Sequence, residues 1–92
     1  MRIAFDPAKR AQTLIERRLD FARARELFPG PTLSFDDRRR NYGEARTVSV
    51  GMLDGRLTMV VWTPRGTARR VISMRYCNER EQERFEAFIA PF

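Results

Sequence analysis

Arginines dominate the residues of this chain that are equipped for chemistry. Glu44-x-Arg46 opens one strand pattern, and Thr63-Pro64-Arg65 closes the next. Arg69-Arg70-Val71-Ile72-Ser73-Met74-Arg75 then sets cations on both faces and at both ends of a third. A strand that only had to fold would not need them. A guanidinium carries a fixed charge and a planar fork of donors that matches phosphate. Standing on a rigid sheet, such groups suit a phosphodiester backbone.

The elements that must carry these residues are readable from caps and periodicity. Asp6-Pro7 is a helix start, and Ala8, Ala11, Leu14, Ile15 and Leu19 follow at helical spacing on one side. Asp20 caps a second short helix in which Phe21, Ala24, Leu27 and Phe28 share a face, and Pro29-Gly30-Pro31 ends it. The two helices are expected to form one packed layer. From Thr32 the period changes to two. Strands are expected at Thr32 to Asp36, Arg46 to Gly51, Arg56 to Thr63 and Arg69 to Cys77. Asp54-Gly55 and Pro64-Arg65-Gly66 mark the turns between the last three. Asn78 caps a last helix with Glu81 as its capping-box acid. That helix presents Phe85, Phe88 and Ile89 and stops before Pro91. The order ααββββα gives an α+β fold: two N-terminal helices, a four-stranded antiparallel sheet and a C-terminal helix.

Parity along the last strand separates Ile72, Met74 and Tyr76 from Val71, Ser73, Arg75 and Cys77. With helices over the first set, Ser73 and Arg75 stand on the open face. Leu57, Met59 and Val61 alternate with Thr58, Val60 and Trp62, both sets mostly apolar, so that strand is expected at the centre. Arg46 and Arg65 fall near the rim.

Composition narrows the functional classes. The chain is expected to be one domain over residues 1–92, with 18 basic against 12 acidic residues and a net charge of +6. Lys9 is the only lysine among them. A small domain with this balance meets nucleic acid, an acidic protein, or both. There is no histidine, which removes the commonest general base and metal ligand. Cys77 is the single cysteine, so neither an internal disulfide nor a Cys/His zinc site is available. No metal or cofactor is expected. The longest apolar run, Leu57 to Trp62, is too short to span a bilayer, and Met1-Arg-Ile-Ala-Phe-Asp lacks a signal-peptide core. A cytoplasmic location without membrane contact is the expectation.

Several short motifs fall in a telling order: Phe5-Asp6-Pro7-x-Lys9, then Phe21 with Leu27-Phe28, then Asp37 and Tyr42-Gly43-Glu44-x-Arg46. Gly51, Leu57, Thr63-x-Arg65, Arg70-Val71-Ile72-Ser73-x-Arg75 and Glu81 complete it. This order and spacing resemble the BrnT toxins of type II toxin–antitoxin modules, which have a RelE-like ribonuclease fold. The resemblance runs from Phe5 to about Phe85. It implies metal-independent RNA cleavage, neutralisation by a BrnA-type antitoxin, and contact with operator DNA only through the antitoxin complex. There are departures. BrnT-like sequences read Asn-x-x-Lys-His-Gly-Val where this chain has Thr13-Leu14-Ile15-Glu16-Arg17-Arg18-Leu19. The lysine, histidine and helix-ending glycine positions are thus Glu16, Arg17 and Arg18, and Phe85 replaces a tyrosine.

Metal-free cleavage requires the ribose 2′-OH deprotonated, the in-line phosphorane stabilised and the leaving 5′-oxygen protonated. Fixed guanidinium donors serve the second requirement. Arg75 is the first candidate by parity and motif, with Arg46 and Arg65 in support. Arginine keeps its proton at neutral pH, so the base must come from Glu44, Lys9, Tyr42, Asp36 or Asp37. Glu44 is the catalytic candidate among these if burial raises its pKa, and otherwise an ion-pair partner orienting Arg46. Arg38, Arg39, Arg40 and Tyr42 form a basic loop with an aromatic, suited to RNA contact, to docking an acidic antitoxin segment, or simply to solvent. Lys9, Arg70 and Ser73 complete the RNA-binding candidates. Trp62, Phe85, Phe88 and Ile89 read as core, and Cys77 as a small strand residue. The alternative function is a catalytically degenerate RNA- or antitoxin-binding module of the same fold. The sequence offers no helix-turn-helix with a basic recognition face for a DNA-binding repressor.

Overall fold

The computed structural model describes residues 1–89, so the expected stop before Pro91 lies outside the described residues. They form a five-stranded sheet in the order β1-β5-β4-β3-β2. Its strands are β1 (Arg2–Phe5), β2 (Thr32–Asp36), β3 (Thr47–Leu53), β4 (Arg56–Arg65) and β5 (Ala68–Tyr76). β2 to β5 make the expected antiparallel meander with β4 at the centre. The expected four strands are corrected to five, because β1 joins the outer edge of β5 in parallel, with Phe5 beside Val71. β1 has four residues and its partner lies far along the chain. Neither a hairpin turn nor a long alternation announces it.

The N-terminal helices also differ from expectation. α1 (Pro7–Arg17) starts as read, with Asp6 Oδ1 accepting from the Ala8 N–H at 2.9 Å. Yet none of its residues is buried, and Ile15 is 81% exposed. The core takes Leu19, beyond the helix end, instead. Polar ties hold α1 in place: Arg10 forks onto Asp20 at 2.8 and 2.9 Å, and Arg17 Nη1 donates to the Met74 carbonyl. The second helix is a 3-10 turn (Phe21–Arg23) followed by one turn of α2 (Ala24–Leu27). Asp20 caps it, and Phe21, Ala24, Leu27 and Phe28 are all buried as their spacing predicts.

The sheet carries a core on each side. On the back face Leu19, Phe21, Ala24, Leu27 and Phe28 pack against Leu53, Val60, Val71 and Met74. On the front face α3 (Glu79–Ile89) sets Phe85 and Ile89 against Val48, Val50, Leu57, Met59, Val61 and Cys77. Phe88, expected in that core, is 70% exposed. The face expected to be open is therefore partly roofed by α3. Strict alternation in β5 also fails. Val61 pairs with Ser73 and Trp62 with Val71, so Ile72 is an extra residue in a β-bulge. Val71 and Met74, three apart, thereby share the back face, while Ile72 packs at the front.

The turns follow local chemistry. Asp54 and Gly55 both have positive φ, 52° and 75°, the left-handed pair a two-residue hairpin needs. Pro64 lies inside β4 and not in the following turn, and Arg65 pairs with Ala68. Pairing of β4 with β3 ends at Trp62, so the missing N–H of Pro64 faces no third strand. No helix among the described residues is long and apolar enough to cross a membrane.

Candidate functional site

The register of β4 and β5 sets the frame. Thr63 lies beside Arg70, Val61 beside Ser73 and Met59 beside Arg75, so Arg70, Ser73 and Arg75 share the front face. Arg65, in step with Thr63, belongs to the same side. Beyond β2 and β3 the Asp37 N–H donates to the Arg46 carbonyl at 2.9 Å, extending the pairing by one residue. That brings the 37–46 loop to the same edge.

Arg75 is gripped by α3. Its Nη1 and Nη2 donate to Glu81 Oε1 and Oε2, both at 2.7 Å. Nη1 also reaches the Tyr76 carbonyl at 3.3 Å, and Nη2 the Met59 sulfur at 3.5 Å. Glu81 is itself fixed by the predicted capping box: it accepts from the Asn78 N–H, and the Glu81 N–H donates to Asn78 Oδ1, each at 2.9 Å. The hydrogen bond from Arg75, with that N–H, holds the Glu81 carboxyl down at about 2.

The 37–46 loop is organised by two further acids. Asp37, with its side chain 1% exposed, accepts from Arg39 Nε and Nη2 at 2.8 Å each. This pair lowers the Asp37 carboxyl to about 2. Glu44 accepts from Arg46 Nε and from Arg65 Nη2, both at 3.2 Å. The Arg46 guanidinium lies 3.8 Å from the Tyr42 ring centroid, with Arg40 further off at 5.6 Å. Thr63 Oγ1 donates to the Ala45 carbonyl at 2.7 Å, tying the loop to β4. Gly43 turns the chain at φ 74°, its N–H donating to Asn41 Oδ1.

The structure thus groups Glu44, Arg46, Arg65, Arg40 and Tyr42 at one end of the front face. It places Arg75 in an open pocket of about 240 Å³ with Arg38, Arg39 and Arg84. Lys9 is not brought to either group. It sits exposed on α1, whose neighbour Arg10 lies over Phe5 and pairs with Asp20 toward the back core. Arg69 is also turned away, standing over both Phe28 and Trp62 at 4.4 and 4.6 Å. Trp62 packs with the back core as expected, its Nε1–H donating to Ser49 Oγ.

Glu44 lacks the raised pKa that a base near neutrality wants. The hydrogen bond from Arg46, then Arg65, pulls it below the ordinary carboxylate value. It is an ion-pair partner that orients two arginines. Cys77 is buried in the front core, and burial pushes its thiol up to about 11, which leaves little thiolate for chemistry. Among the described residues no three His, Cys, Asp or Glu side chains gather as a metal site.

Two pocket residues escaped the sequence reading. Arg84 lies three positions after Glu81 on α3, a spacing that marks a shared helix side but not what the side faces. Phe35 shows as an apolar position on an edge strand. Only its register opposite Val48 puts it at the pocket.

A family model described as "Ribonuclease toxin, BrnT, of type II toxin-antitoxin system" matches residues 5–81. The match takes in the Glu44 group and the Arg75–Glu81 pair, and ends short of Arg84. A search of curated proteins gave no match.

Proposed function

This chain belongs to the BrnT family of ribonuclease toxins of type II toxin–antitoxin systems, and on that premise we propose that it cleaves RNA without a metal ion. The observation that carries the reading is that Arg46, Arg65, Arg70 and Arg75 all stand on one sheet face, with Arg38 and Arg39 beside Arg75. In the reaction the ribose 2′-oxygen bonds to phosphorus as its proton leaves. The bond from phosphorus to the 5′-oxygen breaks, and that oxygen gains a proton. The products carry a 2′,3′-cyclic phosphate and a 5′-hydroxyl. Charge grows on the non-bridging oxygens in the transition state, where guanidinium groups already fixed by Glu81 and Glu44 need little reorganisation.

Proton removal is the weak step. The site's carboxylates are paired with arginines, and a positioned base contributes about 10²–10⁴-fold in rate. Slow turnover is expected. Neutralisation belongs to a BrnA-type antitoxin, and operator DNA is met only through that complex. The same pairing of carboxylates favours a second reading, a catalytically degenerate module of this fold that binds RNA or antitoxin.

Cleavage of mixed cellular RNA in EDTA by the purified chain, beside Arg75→Ala, separates the two. Cyclic-phosphate ends from the wild type alone, with the variant down by roughly 10²-fold or more, are the expected result. Equal cleavage by both proteins would remove Arg75 from the mechanism. No cleavage by a folded wild type would leave the binding-only reading.

A further inference from the structure

We propose that Phe35 and Arg84 form a nucleotide-binding subsite beside Arg75, with Phe35 stacking on a base and Arg84 holding a phosphate of the same RNA strand. The proposal rests on the RNA reading above and adds residues that lie outside its catalytic set.

Charge accounting singles out Arg84. Of the guanidinium groups lining the pocket, Arg38 is matched to Asp36, Arg39 to Asp37 and Arg75 to Glu81. Arg84 has no hydrogen-bond or ion-pair partner among the described residues. Its spacing from Glu81 would suit a helical pair, but both Glu81 oxygens already accept from Arg75. The Arg84 charge still reaches Glu81, adding to the depression of its carboxyl. An anion entering the pocket therefore meets one guanidinium whose donors are unengaged, while Arg75 contributes mainly field. A phosphodiester supplies the two free oxygens that such a fork takes.

Phe35 supplies the complementary element. It is 41% exposed, on the edge strand, and with Val48, Met59 and Phe85 supplies the apolar lining of a pocket otherwise formed by charged side chains. Its inner side is stacked on the buried Phe85, with ring centroids 5.9 Å apart and planes 24° from parallel. That stack fixes the ring, so a base laid on the outer side costs little further ordering. Aromatic platforms next to basic grooves are how single-stranded RNA is held without strict sequence choice.

The test is binding of a fluorescent 2′-deoxy oligonucleotide, which lacks the attacking hydroxyl, to the full chain at several salt concentrations. Arg84→Gln should weaken binding and reduce the salt slope by about one phosphate contact, while Arg80→Gln, on the same helix but away from the pocket, should not. Phe35→Leu, which keeps an apolar contact with Phe85, should weaken binding about fivefold or more at unchanged slope. Phe35→Tyr should restore it. Circular dichroism of each variant confirms the fold. Arg84→Gln and Phe35→Leu both binding like wild type, while Arg75→Ala abolishes cleavage, would overturn the subsite and leave the ribonuclease reading intact. Equal loss in Arg80→Gln and Arg84→Gln would replace it with a diffuse basic field. A wild type that neither binds nor cleaves, or that binds only an acidic peptide in this pocket, would remove both readings.

Discussion

Both carboxylate oxygens of Glu81 accept from Arg75, and the same carboxylate closes the N-terminal cap of α3. One acid therefore joins the helix to the central part of the sheet. Glu81→Gln should lower stability at pH 7 by about 1 kcal/mol, kept small because Arg75 is partly exposed and its charge is screened. The pH dependence has a definite sign. The folded-state pKa of Glu81 is depressed to about 2 from an ordinary 4.5, so its contribution is complete above 4.5 and lost as pH falls through 2. Denaturant melts from pH 7 to pH 2 should show wild type and Glu81→Gln converging at the acid end. Cys77 makes a simpler case. A thiol held at about 11 in the front core should resist a disulfide reagent at pH 8 in the native chain and react at once in denaturant. Rapid native labelling would show that the core opens there. Residue types marked Arg75, Glu81 and Glu44 as charged positions, and the structure engages each of them in an ion pair. They left Arg84 unmarked, because whether an arginine is matched or free depends on which acids reach it.

α1 ends at Arg18, which takes φ 56° and ψ 34°, a left-handed conformation that disfavours any side chain. Removing the side chain relieves about 1–2 kcal/mol of strain and adds back about 0.5–1 kcal/mol of chain entropy. Arg18→Gly should therefore stabilise the fold by about 0.5–1 kcal/mol and raise Tm by about 2–8 °C. A calorimetric Tm at or below wild type would show that Arg18 makes a compensating contact. Most caps and turns were legible: Asp6, Asp20, Asn78 with Glu81, and Asp54-Gly55 all act as their types require, whereas Pro64 and Arg65 belong to β4 and not to the turn after it. What an apolar helix stripe would pack against was not legible. Leu14 and Ile15 have helical spacing yet stay exposed, since α1 is held through Arg10 and Arg17.

The two cores meet through β4, which offers apolar side chains to both faces, and through close approach of the back layer to β3. Gly51 is where that approach is tightest. A Cβ there would lie 3.0 Å from Leu27 Cγ and Cδ2 and 3.4 Å from the Pro31 carbonyl oxygen. Leu27 is fully buried, so it has little room to yield. Gly51→Ala should cost about 1–3 kcal/mol by urea denaturation, and a neutral result would mean that α2 shifts freely over the sheet. Local chemistry in the chain was enough to set the meander, its hairpin turns, the capped last helix and the arginine-rich face, because each depends on neighbours a few residues apart. The parallel β1, the bulge at Ile72, the roof that α3 makes over the front face and the pocket joining Phe35, Arg75 and Arg84 were set by folding alone. Each of these depends on partners distant in sequence, chosen by which surfaces pack together and which charges are left unmatched.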